Sequence, residues 1–225
     1  MNQPTFKANA RKRERPRLNR AEQREARTRQ LLEAAWAVYC EKGYEATTID
    51  DVAAYAGVSR MPVYSLFGDK QNLYFALWCK FIDDLSMALR SPLRPQATLR
   101  EKLEQLAATA VSAPTPPRAS TLAPEGLFFV VQTIALSRPD IFERLKQRAN
   151  EVLADFADIV RSSALDKGDR LRATPEVIAS HIIAHLNGMS TVGFQTGKSF
   201  AKQRDVADIF LAAAFKPQRS SRADP

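Results

Sequence analysis

The chain has 225 residues, 45% of them hydrophobic and 26% charged, a globular balance that excludes wholesale disorder. It carries a net charge of +8, and residues 1–30 hold ten basic side chains against three acidic ones. A nearly neutral body with a cationic head suits a polyanion, a nucleic acid first and a membrane surface second. No apolar run approaches the ~18–20 residues of a membrane helix, and the first 30 residues lack the apolar stretch of a secretory signal. Cys40 and Cys79 form no CxxC or metal spacing, which fits a reducing, cytoplasmic setting.

In chain order, residues 1–20 read as a flexible basic arm with Arg11, Arg13, Arg15 and Arg17 at its centre, or else as a solvated tail. From Ala21 the pattern turns helical, with Leu32, Ala35, Trp36 and Tyr39 at three- and four-residue spacing. Gly43 closes this helix as a C′ glycine, and Tyr44 packs back. Thr48 is the expected N-cap of a short second helix, with Asp50 and Asp51 in its first turn and Val52 and Ala53 facing inward. Gly57 ends it. Ser59 is the expected cap of a third helix, with Pro62 in its first turn, running to Phe67. Gly68-Asp69 forms another turn and cap. Two short helices joined by a Gly-centred turn match a helix-turn-helix, or a generic helical hairpin, and the basic arm upstream favours the former.

Beyond Lys70 the chain stays helical. Helices are expected over residues 70–89, 97–111, 125–137, 139–162, 174–195 and 202–215. Residues 112–124, with Pro114, Pro116, Pro117 and Pro124, have loop composition. Thr174-Pro175-Glu176 supplies cap, N1 proline and early acid, and Gly193 and Gly197 bracket the far end of that helix. No strand and no repeat is expected. His181 and His185 share a helix face at i, i+4, but the intervening residues are Ile-Ile-Ala, without the glutamate of an HExxH site. Neither a metal nor a cofactor is expected.

Residues 28–78 resemble the DNA-binding domain of the TetR family, the tetracycline-repressor-like regulators. The matching features are the Ala pair of the first helix, the Gly-Tyr turn, Thr47-Thr48-Ile49, Val52-Ala53, Ala56-Gly57-Val58-Ser59, Tyr64, Phe67 and Lys70. Met61-Pro62 departs from the small pair usual there, so the DNA sequence read by this helix cannot be borrowed from a relative. The resemblance implies an all-α chain in four parts. These are the arm (1–20), a helix-turn-helix domain (21–70), a larger helical ligand-binding and dimerisation domain (71–216) and a polar tail (217–225). It implies a homodimeric transcriptional regulator, a repressor rather than an enzyme, bound to a roughly palindromic double-stranded operator. A small apolar or aromatic effector would release it.

Under this resemblance the third helix presents its N-terminal side chains to base edges. Arg60 matches guanine O6/N7, or clamps a phosphate. Met61 and Pro62 offer apolar contact, and Ser65 reaches base or phosphate. Tyr64 and Lys70 match the family's phosphate contacts, Tyr64 having a buried-core alternative. Thr48 both caps its helix and bonds a phosphate. Phe75, Trp78, Phe81, Phe128, Phe129, Gln132 and Phe156 lie on helices expected around the effector, or form plain core. Ala184, Gly188, Ala212 and Ala213 are the small residues of an intersubunit four-helix seam, or of a monomeric core. Two rivals remain: a DNA-binding protein without small-molecule control, and a helical carrier or enzyme.

Overall fold

The computed structural model describes residues 19–112, 124–198 and 202–217. Among these are nine helices: α1 (Arg20–Ala46), α2 (Ile49–Tyr55), α3 (Arg60–Phe67), α4 (Lys70–Arg90), α5 (Leu99–Ser112), α6 (Pro124–Ser137), α7 (Pro139–Ser162), α8 (Pro175–Thr196) and α9 (Gln203–Ala214). The described residues form no strand beyond one isolated bridge, Leu171 to Phe215. The all-α expectation holds, helix by helix. Arg11, Arg13, Arg15 and Arg17 lie outside the described residues.

Local chemistry explains the boundaries. Asn19 and Glu22 form a capping box at α1, the Asn19 side chain accepting from Glu22 N–H at 2.9 Å and Glu22 accepting from Asn19 N–H at 2.7 Å. Gly43 interrupts α1 with φ +77°, ψ 174°, and one further turn follows before Thr47. The buried Thr47 hydroxyl donates to the Gly43 carbonyl at 2.6 Å. Thr48 caps α2 as expected. Ser59 stands at the N-cap of α3 but makes no side-chain cap bond. Pro62 falls at N3 and has no N–H to give, which leaves a cap only the N2 donor of Met61. Asp69 caps α4, accepting from Asn72 N–H at 2.7 Å. Pro139 and Pro175 occupy the first positions of α7 and α8. α8 runs straight through Gly193 and stops only at Gly197, which takes the left-handed conformation.

The chain builds two apolar cores. The first gathers Leu31, Ala35 and Val38 of α1, Val52, Val63, Leu73 and Leu77, then Leu127 and Val131 of α6 and Ile141 of α7. The second gathers Leu99 and Leu103 of α5, Phe156 and Val160 of α7, Ile178 and Ile182 of α8, and Phe210 of α9. Each fully buried side chain of this size contributes ~1.5–3 kcal/mol. α4 and α7 pass through both cores. The first half of α4 lies in one and Leu89 in the other, while Ile141 and Phe156 divide α7 in the same way.

Candidate nucleic-acid interface

α1 packs behind α2, while α3 packs against α2 and α4. The turn needs Gly57 at φ +67°, a conformation that strains any residue with a Cβ. Gln30 of α1 donates to the Ala56 carbonyl at 2.8 Å. Val63 of α3 is buried and Leu66 and Phe67 pack half-buried against the same core, so this helix meets the core along one face and turns the other outward. Arg60 and Ser65 are exposed, Met61 is 66% exposed and Tyr64 45%. Pro62 is half-buried. Tyr64 therefore stands outside the core. The outward face is a guanidinium, a thioether, a phenol and a hydroxyl, the functional groups that read base edges and phosphates. Among the described residues none of these four pairs with an acid. Tyr55, 62% exposed beside the turn, was not singled out from sequence. An aromatic at the end of a short helix carries no signal of its own there.

Thr48 caps α2 through its hydroxyl. It accepts from Asp51 N–H at 3.1 Å and donates to the Asp51 carboxylate at 2.7 Å. Asp51 also takes the Lys42 ammonium at 2.7 Å. The Lys42 contact first, and Thr48 second, hold the Asp51 carboxyl down at about 2. Lys70 is turned back on α1. Its ammonium donates to the Glu45 carbonyl at 3.2 Å and lies 4.2 Å above the Tyr44 ring. Burial lowers its pKa. It closes the end of α1 and keeps two N–H donors for an anion.

Beyond the helix-turn-helix, Phe75 and Trp78 are buried in the first core with Phe128 packed against it. Phe129 is partly exposed with its ring 5.9 Å from Phe194 of α8. Phe81 and Gln132 are half-buried, and Phe156 sits apart, in the second core. The Trp78 indole N–H is buried and finds no acceptor among the described residues. Two surface hollows, one along α7 at Glu143–Ala154 and one between α4, α5 and α7 at Arg90, Lys102 and Asp155, touch none of these seven residues.

On α8, the residues Val177, His181, Ala184, Gly188 and Val192 recur at steps of four, three, four and four and are all exposed. Ile178, Ala179 and Ile182 of the same helix are buried. On α9, Ile209 and Ala212 are exposed and Ala213 is half-buried. His185 lies edge-on to Phe210. Among the described residues no group of three acidic, His or Cys side chains has metal-binding geometry, and no helix is long and apolar enough to cross a membrane.

Comparison with known proteins matches residues 31–77 to the family described as "Bacterial regulatory proteins, tetR family". The HTH-type transcriptional activator FasR of Mycolicibacterium smegmatis is 38% identical over 80 residues, 36% of this chain and 36% of that protein. The fatty acid metabolism regulator protein of Bacillus subtilis is 25% identical over 131 residues, 58% of this chain and 62% of that protein. The chain thus spans about a third and three-fifths of these two relatives. Among solved structures, the fold matches the transcriptional regulator FadR from Bacillus subtilis in complex with stearoyl-CoA, with a TM-score of 0.63 at 15% identity, covering 82% of this chain and 98% of that one. The proteins matched are transcriptional regulators, not enzymes.

Proposed function

Through residues 31–77 the chain belongs to the tetR family of bacterial regulatory proteins, and on that premise we propose that it is a ligand-responsive, sequence-specific DNA-binding regulator, a repressor acting as a homodimer in the cytoplasm. The observation that carries this reading is α3, seated on the core by Val63, Leu66 and Phe67, with Arg60, Met61, Tyr64 and Ser65 exposed on its outer face. One such helix spans only a few base pairs, too little to single out a site in a genome. A twofold dimer doubles the address and calls for a roughly palindromic operator. The exposed stripe Val177–Val192 on α8, together with Ile209 and Ala212 on α9, supplies an apolar face for that dimer. The arm around Arg11–Arg17 adds phosphate contacts.

The effector we propose is apolar, an acyl chain being the first candidate. The names of the Bacillus relative and of the FadR–stearoyl-CoA structure support it. So does the Trp78 indole N–H, a buried donor whose lack of an acceptor costs ~1–3 kcal/mol and which a ligand carbonyl would satisfy. The test is selection of bound sequences from a random DNA pool, followed by titration of the complex with stearoyl-CoA. Enrichment of a palindrome and release by the thioester support the reading; absence of any enriched sequence refutes it. A second reading, DNA binding without small-molecule control, draws on the close burial of Phe75 and Trp78. Enrichment of an operator that neither stearoyl-CoA nor free fatty acids release would favour it.

A further inference from the structure

We infer that Arg138, at the start of α7, is a positioning residue for the recognition helix α3, holding the corner from which that helix projects. The inference rests on the DNA-binding reading above.

Arg138 stands between α6 and α7 with extended backbone, φ −130°, ψ 93°. Its guanidinium is divided between two helices. Nε and one terminal nitrogen grip the Asp140 carboxylate of its own helix, both at 2.8 Å. The other terminal nitrogen crosses to the start of α4, donating to Asp69 Oδ2 at 3.1 Å and to Gln71 Oε1 at 2.6 Å. Asp69 directly follows Gly68, the residue at φ +81° that ends α3. The guanidinium thus holds the corner one residue beyond the recognition helix.

The circuit extends along both helices. Asp69 Oδ1 accepts from Asn72 N–H at 2.7 Å, and the Asn72 amide donates back to Asp69 Oδ2 at 3.1 Å. The Asn72 amide oxygen accepts from Arg144 at 2.8 Å, and the Arg144 guanidinium lies 4.4 Å above the Phe75 ring. Arg138 at the N-cap of α7 and Arg144 within it therefore hold the first turn of α4. A planar fork fixed on one side by a two-point carboxylate grip has its remaining N–H groups aimed, which makes this a directional tie. It is not what holds the helices together. Ile141 and Leu145 of α7 already pack in the core shared with Leu73 and Leu77 of α4, and partly exposed ion pairs contribute little to stability. What the circuit adds is orientation: the angle of α3 is set from the half of the chain expected to sense the effector.

The test uses the full chain. Wild type first selects its site from a random DNA pool. Affinity is then measured on that site and on versions with the half-site spacing changed by one and two base pairs, for wild type, Arg138→Gln, Arg138→Lys and Asp140→Asn. Thermal unfolding is recorded for each. The expected result is that Arg138→Gln binds the selected site roughly tenfold more weakly and tolerates altered spacings that wild type rejects. Arg138→Lys should be intermediate, and Asp140→Asn, which leaves the guanidinium present but unaimed, should broaden spacing tolerance as well. Thermal midpoints should stay close to wild type. Spacing discrimination unchanged in Arg138→Gln, or a loss that tracks a lowered midpoint and that Lys does not restore, overturns the inference. A selection that enriches nothing removes the DNA-binding reading and this inference with it. If Arg138→Gln fails to fold, the Asp140→Asn spacing profile decides.

Discussion

Substituting Gly188 separates the subunit from the assembly, because among the described residues the position faces open space. Gly188 is exposed in mid-α8, and a Cβ built there meets none of the described residues within 4 Å. In an isolated chain Gly188→Ala should therefore stabilise the helix by up to ~0.8–1 kcal/mol, the difference in propensity. Gly188→Arg should likewise be tolerated, its side chain reaching solvent. A twofold seam along Val177, His181, Ala184, Gly188 and Val192 changes the sign. A seam of this kind is isologous, so each dimer would bury two arginines, and an unpaired buried charge costs several kcal/mol. Taking only ~2 kcal/mol for each, the dimer dissociation constant rises about a thousandfold. The expected outcome for Gly188→Arg is a folded chain with unchanged helicity that sediments as a monomer. It should lose specific binding and keep weak, salt-sensitive binding. Sedimentation velocity beside a DNA-shift titration measures both. A Gly188→Arg protein that remains dimeric and binds its operator normally refutes the placement of the seam on α8.

Three further outcomes follow from single contacts. At Gly126 of α6 a Cβ would stand 2.9 Å from the Tyr39 hydroxyl of α1, and Tyr39 is fully buried. Gly126→Ala should therefore lose ~1–3 kcal/mol to overpacking, partly offset by helix propensity, and thermal unfolding should show a lower midpoint. The Asp51 carboxyl is held down at about 2 from an ordinary 3.8. Its contribution is thus present above pH 4 and lost as pH falls towards 2, so the midpoint of wild type should fall more steeply across that window than that of Asp51→Asn. Arg60→Ala should relax preference at one base pair per half-site, by ~1–3 kcal/mol if the guanidinium grips guanine. Uniform weakening across all base variants, measured by competitive binding, would make it a phosphate clamp.

Helix boundaries were legible because their chemistry is local. Thr48, Asp69, Pro139 and Thr174 each act on residues within one turn, and each stands where its sequence context puts it. Ser59 stands at its expected cap position but makes no side-chain bond, Pro62 having removed the N3 donor. The end of α8 falls between Gly193 and Gly197 as expected, at Thr196, since one glycine inside a helix costs only ~1 kcal/mol. Gly43 is the departure: it kinks α1 rather than closing it, and the helix resumes to Ala46. Aromatic residues were harder still. Phe75, Trp78 and Phe156 recur at helical spacing whether they line a cavity or fill a core, and the structure puts Phe156 in a different core from the other two.

What no spacing rule reveals is pairing across distance. Arg138-Pro139-Asp140 reads as an ordinary helix start, and Gly68-Asp69 as an ordinary turn and cap. Nothing in either stretch announces that they meet across 69 residues. The same holds for Lys70, whose position invites a phosphate contact and whose ammonium also reaches 25 residues back to the Glu45 carbonyl. Both contacts converge on the few residues around Gly68 where α3 gives way to α4. The apolar core seats α3 through Val63, Leu66 and Phe67, but apolar packing is non-directional. Directional bonds from Lys70 to α1 and from Arg138 to Asp69 add orientation at its end. They come from opposite sides, one from the helix-turn-helix itself and one from α7. A change in α7 therefore need not unfold or even loosen the DNA-reading helices to change what they bind. It has only to shift the fork that holds one of the two sides.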